Sequence, residues 1–229
     1  MQFFFSKIED KKALFSSDEK IHLTKVLRKK TNDLIKIIDG TGFLYTGKII
    51  NLKNKNLEVE IIKKEKKEKK HNYYLHLAIA PTKNINRFEW FLEKGTEIGI
   101  DEITPIICKN SERKKINIQR CNRILISSLK QSLKYHLPKL NEAIKFDEFI
   151  KQKNESKKYI AHCKETEKIK IEKDINASYT VLIGPEGDFS DHEIEVANNN
   201  NYESITLGES RLRTETAGIL ATHNIYLLF

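Results

Sequence analysis

The hydrophobic pattern changes character once along this chain, near residue 70. Before it, apolar residues alternate over short stretches. Leu34–Asp39 (LIKIID) ends at an Asp39-Gly40 turn, and Phe43–Asn51 and Leu57–Ile62 follow with strand composition. A helix is expected from Ser17, whose hydroxyl can cap it, through HLTKVLRKK. Beyond residue 70 the period lengthens. Tyr74–Ala80 (YLHLAIA) reads as a buried strand ending at Pro81, and Phe88, Phe91, Leu92 and Ile98 recur at helical spacing, predicting a helix over Asn86–Ile98 closed by Gly99. Ile103–Ile107 is a strand, and Ile118, Cys121, Leu125, Leu129 and Leu133 mark a helix that stops before Pro138. Tyr159–His162, Tyr179–Ile183 and Ser204–Leu207 are further strands, and Thr214–Phe229 a final helix. Ser190 and Glu193 have capping-box spacing for a helix after GPEGDFS. Strands alternating with helices imply an α/β domain on a parallel sheet over residues 71–229, preceded by a small β-barrel-like module over residues 1–70. The continuous apolar run YTVLI suits a strand covered on both faces.

Composition narrows the class. The 229 residues are 39% hydrophobic and 32% charged, as in a water-soluble globular protein, and no apolar run reaches the length of a membrane span. The start MQFFFSKIEDKK lacks the order of a signal peptide. Cys108, Cys121 and Cys163 are odd in number and widely spaced, which fits neither a disulfide framework nor a zinc site. No metal is expected, and the chain reads as cytoplasmic. The net charge of +9 is uneven: residues 1–71 hold 18 Lys/Arg against 10 Asp/Glu, whereas the remainder holds 23 against 22. A basic module on a near-neutral body suits a polyanion partner. The run KKEKKEKK at Lys63–Lys70 also fits a solvated linker or strand extension, and the abundance of Lys, Asn and Ile fits compositional bias.

The chemistry is concentrated in two glycine-marked loops, Gly184–Ser190 (GPEGDFS) and Leu207–Ala217 (LGESRLRTETA). Two strand-to-helix loops about 20 residues apart can wall a pocket for a small polar ligand at the C-terminal edge of a sheet. The second loop sets a cation, an anion and two hydroxyls beside its glycine turn, none of which a structural turn requires. Gly184 and Gly208 allow close backbone approach to a ligand, Leu207 and Leu212 offer apolar walls, and Pro185 and Glu186 shape the first loop. His162 ends the short strand before these loops. Trp90 and Phe91 read as core residues sooner than as base-stacking ones. Lys25, Arg28, Lys29 and Lys30 cluster in the basic module, where they suit phosphate contacts; Lys83, Arg87 and Arg113 suit phosphate or base contacts nearer the pocket, or a solvated helix face. His22 has no role beyond packing.

Taken together, these motifs resemble the RsmE family of 16S rRNA uridine-N3 methyltransferases, of the SPOUT class. The resemblance runs from Phe3-Phe4-Phe5 and His22–Arg28 (HLTKVLR) through Phe88–Gly99 (FEWFLEKGTEIG), Pro105, Ser111-Glu112-Arg113, Gln131-Ser132 and Leu137-Pro138 to the GPEG and LGxxxLRTETA loops. It implies a PUA-like RNA-binding barrel over residues 1–70 and a SPOUT methyltransferase domain with a deep trefoil knot over residues 71–229. It also implies a homodimer, S-adenosyl-L-methionine as methyl donor, and 16S rRNA or the assembled small ribosomal subunit as partner. Ordinary folds are unknotted, so the knot rests on the resemblance alone. The implied donor-binding residues are His162, Gly184, Pro185, Glu186, Gly187, Leu207, Gly208, Leu212, Arg213, Thr214, Thr216 and Ala217. Arg213 and Glu215 are the catalytic candidates: Arg213 stabilises a uridine anion or holds a phosphate, and Glu215 acts as base, or orients Arg213 and caps the final helix. The chain departs from the family pattern at Asp188, where GPEGG is usual, at Arg211, where an apolar residue is usual, and at Lys134, where an arginine is usual. A non-catalytic RNA-binding assembly factor is the competing reading, and a small-molecule enzyme that binds an anion at GPEG a third.

Overall fold

The computed structural model describes residues 2–52 and 57–229. The chain divides into two compact units. The first runs to Lys69 and takes in Ile126–Leu137. It holds strands β1 (Phe3–Phe5), β2 (Lys7–Glu9) and β3 (Lys12–Leu14), helix α1 (Ser17–Ile21), and strands β4 (Leu34–Ile38), β5 (Phe43–Asn51) and β6 (Glu58–Lys66). They form a six-stranded mixed sheet in the order β1-β4-β5-β6-β3-β2, with β1 and β4 parallel. Register shifts at Thr46/Gly47 and Ile49/Asn51 bend β5. Alternation buries Ile35 and Ile37 with Phe4, Tyr45, Ile49 and Val59. The other face collects Phe3, Ile38 and Leu44 around Leu129. That contact assigns Ile126–Leu137 to this unit, although it lies far along the chain.

Local chemistry explains where this unit differs from expectation. The cap of α1 is Ser16, whose hydroxyl accepts from Glu19 N at 3.3 Å, and the helix passes into a π-helical turn over His22–Val26 before Arg28 takes a left-handed φ of 48°. The helix therefore ends short of Lys30. Asp10 and Lys11, at φ 45° and 60°, make the tight turn between β2 and β3. Part of the KKEKKEKK run is strand: Lys63–Lys66 pair with β5, and Lys64 Nζ lies 3.9 Å from the centroid of the Phe43 ring.

The second unit comprises β7 (Tyr74–Ile79), α2 (Ile85–Ile98), β8 (Glu102–Ile107), the first half of α3 (Ile118–Gln131), β9 (Lys139–Leu140), β10 (Ile144–Lys145), α4 (Phe146–Phe149), β11 (Lys157–Ala161), β12 (Ser178–Ile183), α5 (Asp191–Asn199), β13 (Glu203–Ile205) and α6 (Thr214–Tyr226). Every strand pair is parallel, in the order β10-β8-β7-β12-β11-β13, with β9 also on β8. One face packs Ala78 and Leu182 against Phe146, Phe149, Ile194 and Ala197 of α4 and α5. The other is covered by α2 and α6, which account for the apolar runs in β7 and β12. The capping box forms as its spacing requires: Ser190 Oγ accepts from Glu193 N while Glu193 Oε2 accepts from Ser190 N. After edge strand β13 the chain returns to the middle of the sheet, where α6 packs on β7, β12 and α2. No helix among the described residues is long and apolar enough to cross a membrane.

Candidate active site

Register places the site. Ala161, Ile183 and Ile205, which end β11, β12 and β13, lie side by side. The loops that follow these strands therefore leave the sheet at one edge, and they enclose a cleft of about 620 Å³, a size suited to a small-molecule ligand.

The first wall is a turn closed by Asp188 N donating to Pro185 O at 2.9 Å. A Cβ on Gly184 would lie 3.0 Å from the Phe189 ring, so any side chain here would require that ring to give by a few tenths of an ångström. Asp188 adopts φ 61° and holds it with its own carboxylate, which accepts from Cys163 N and Phe189 N at 2.8 Å each. The aspartate thus supplies locally what a glycine would permit by its freedom. Gly187 does not line the cleft; it packs on Asn110, whose amide donates to Gly187 O and Asp188 O.

The second wall is Thr206–Thr214 with Ala217. Gly208 has φ 131°, a conformation that L side chains avoid, and a Cβ there would meet nothing within 4 Å. The glycine is required by backbone conformation, and not by a close neighbour within the chain. Thr214 Oγ1 donates to Gly184 O at 3.0 Å and ties the two walls together.

His162 forms part of the floor. It is 8% exposed, its Nε2 lies 3.0 Å from Ser204 Oγ, and its buried Nδ1 has no partner. Burial lowers its pKa, with Lys168 and Lys164 adding to the effect and Asp188 opposing it. A neutral imidazole with one unsatisfied nitrogen suits a polar ligand atom. Ala161, Cys163, Lys168, Ile183, Asp188 and Ile205 also line the cleft. The signal for them was the common edge of three parallel strands, which a linear motif does not display.

Arg213 caps α6 without a side-chain cap bond, is exposed, and lines both this cleft and a second groove with Asn86, Arg87, Trp90, Glu215 and Thr216. Thr216 faces that groove and not the cleft. Glu215 is 7% exposed. Its nearest cation is Arg87, with Nε 3.7 Å from Oε1, while Oε2 is buried without a partner. Glu215 makes no ion pair with Arg213.

The second unit matches the family model described as an RNA methyltransferase domain over residues 67–226, and the first matches an RNA methyltransferase PUA domain over residues 15–62. The chain belongs to the RNA methyltransferase family. Among similar members of this family, the ribosomal RNA small subunit methyltransferase E of Rickettsia conorii is 32% identical, aligned over 96% of this chain and 91% of its own length. That of Mesomycoplasma hyopneumoniae is 34% identical over 85% and 86%. A crystal structure of a probable rRNA methyltransferase from Porphyromonas gingivalis superposes with a TM-score of 0.92 at 35% identity, covering 100% of this chain and 98% of that one. The small subunit methyltransferase E of Neisseria gonorrhoeae bound to S-adenosyl methionine has a TM-score of 0.86 at 25% identity over 100% and 98%.

In this RNA methyltransferase the basic residues fall into groups. Lys25, Arg28 and Lys30 are exposed and Lys29 partly so, all on or just after the π-helical turn. Lys83 pairs with Glu112 at 2.8 Å, and its backbone N donates to Glu186 Oε1. Arg113 is spent on the chain itself: Nε and Nη2 donate to Thr82 O and Lys83 O at 3.0 and 2.7 Å. Trp90, expected in the core, is 45% exposed, whereas Phe91 is fully buried. Among the described residues, no group of three or more His, Cys, Asp and Glu is placed to hold a metal ion.

Proposed function

We propose that this chain methylates N3 of a uridine in 16S rRNA with S-adenosyl-L-methionine as donor. The observation that carries the reading is the cleft at three in-register strand ends, with Arg213 at its margin. The residues present fit the donor: the cleft has the volume for it, apolar walls at Leu207 and Leu212, the backbone of Gly184 together with Glu186 in its lining, and an unsatisfied His162 Nδ1. When bound, this donor supplies a methyl group on a sulfonium, already a strong electrophile. The chain's task is the nucleophile. Uracil N3 carries a proton and must react as its anion. The guanidinium of Arg213, free of any ion pair among the described residues, stabilises that charge. Glu215 takes the proton or holds the base in position, and the two walls, tied by Thr214, align the reactants.

On this reading residues 1–70 hold rRNA and residues 71–229 perform the transfer, in a cytoplasmic homodimer. The return of α6 from edge strand β13 to the sheet centre supports a trefoil knot in the second domain, with the final helix passed through the preceding loop. Isothermal titration with S-adenosylmethionine and mapping of modified uridines in rRNA, with and without the protein, test the proposal. Binding of the donor and a new N3-methyluridine are expected. rRNA binding without either would leave the non-catalytic assembly factor as the reading.

A further inference from the structure

The groove on the far side of Arg213 is a second built feature beside the cleft. It encloses about 310 Å³. Asn86, Arg87 and Trp90 lie at i, i+1 and i+4 of α2, on a stripe opposite the fully buried Phe88, Phe91 and Leu92. Arg213, Glu215 and Thr216 come from the first turn of α6. Three properties single it out. The indole of Trp90 is 45% exposed, although it stands in the middle of a helix whose Phe88, Phe91 and Leu92 are fully buried. Arg87 and Arg213 give the rim two cations, and Arg87 Nε at 3.7 Å is beyond hydrogen-bond reach of Glu215. Glu215 lines the groove, and one of its carboxylate oxygens, Oε2, is a buried acceptor with no donor.

An exposed indole offers a π face, paired cations suit a phosphodiester, and an orphaned carboxylate oxygen needs a donor such as a uracil N3–H or a ribose hydroxyl. An unstacked pyrimidine nucleotide of single-stranded RNA supplies all three complements. Arg213 lines both spaces, so a base seated here lies next to the ligand of the cleft. We infer that this groove seats the target uridine, stacked on Trp90, with Arg87 on its phosphate and Glu215 on its donor edge. The inference rests on the uridine methyltransferase reading and assigns the substrate side of that site.

Trp90 is the only tryptophan in the chain, so its fluorescence reports the groove directly. The full-length protein saturated with S-adenosylhomocysteine is titrated with a short uridine-centred single-stranded RNA. Saturable quenching is expected, and Arg87→Ala should weaken the apparent affinity about tenfold. In methyl transfer to rRNA, Trp90→Ala should raise KM about tenfold or more, the scale of removing one base–aromatic stack. Trp90→Phe should restore most of it, and the donor affinity of both variants should stay within about twofold of the parent. The assignment is overturned if the RNA leaves Trp90 fluorescence unchanged while the parent protein methylates rRNA, if the fluorescence follows protein concentration instead (a second copy covering the groove), or if Trp90→Ala transfers methyl with unaltered KM. Failure of the functional reading looks different: the parent protein then transfers no methyl, whatever its fluorescence does.

Discussion

Individual residues carry the chemistry, and Arg213 is the sharpest case. It is exposed at the start of α6, without a cap bond, between cleft and groove. Arg213→Ala should keep the fold and most donor binding but slow methyl transfer about 10²-fold or more, the scale of one preorganised electrostatic partner. Part of the loss should return at higher pH, where uracil N3 ionises without help, and Arg213→Lys should recover little because an ammonium lacks the planar fork. Single-turnover rates against pH measure this; abolished donor binding with an unchanged transfer step would move the catalytic role to Glu215. Arg213 was legible in the sequence because LRTETA sets its charge beside a glycine turn. The Arg87–Glu215 approach was not, since it joins residues 128 positions apart. Glu102 is a different kind of residue-scale prediction. Burial opposes its ionisation, but hydrogen bonds from Lys139, Tyr74 and Asn141 outweigh it and hold the carboxyl at about 2, below its ordinary 4.5. A depressed carboxyl stabilises the fold above its unfolded pKa and loses that contribution as pH falls through the folded value. Glu102→Gln should therefore be less stable than the parent near neutrality, with the gap closing between about pH 4.5 and 2 in denaturant titrations.

Elements inherit their placement from patterns the sequence displays unevenly. The strands β7 and β12 were readable as apolar runs, and α2, α5 and α6 from spacing and caps. The short pieces β9, β10 and α4, of two to four residues, carry too little pattern to register and owe their shape to the sheet edge and the Phe146–Phe149 core. The crossing of α6 over the sheet turns on one residue. A Cβ on Gly218 would lie 2.8 Å from Phe91 Cε2 and 2.9 Å from Ile79 Cδ1. Both partners are fully buried, so neither has room to yield. Gly218→Val should cost about 1–3 kcal/mol, the usual scale of overpacking, despite removing a flexible residue from a helix. A lower Tm by calorimetry is expected, accompanied by weaker donor binding because α6 begins at the cleft wall. A Tm equal to or above the parent's would show that the helix does not depend on this close approach.

At the scale of the whole molecule, charge and apolar surface make separate claims on partners. The net +8 of residues 1–71 pointed to a polyanion, and Lys25, Arg28 and Lys30 are exposed together. Deleting residues 1–71 is a poor test, because Leu129, which belongs to the first unit although its helix begins in the other, is fully buried with Phe3, Ile38 and Leu44 and would be stripped of its cover. Charge reversal is cleaner. Lys25→Glu with Arg28→Glu should weaken rRNA binding and flatten its dependence on log salt by roughly 0.7 to 0.9 for each phosphate left without its cation. An unchanged salt slope would mean that the charge reflects composition alone. The proposed association of two copies draws on α6. Its Ile225 and Ala221 are fully buried within the chain, yet Tyr226 and Leu227 at its end are 45% and 66% exposed, with Phe229 at 42%. A helix apolar on more sides than its own core covers needs a further surface, and a two-fold copy supplies one with no second protein. Light scattering at micromolar concentration should give twice the 26.7 kDa chain mass. Leu227→Lys with Tyr226→Lys should shift that population toward monomer while leaving the cleft at the opposite end of the helix able to bind the donor. A fully active monomer in the parent protein would instead leave these side chains as a solvent-facing helix end.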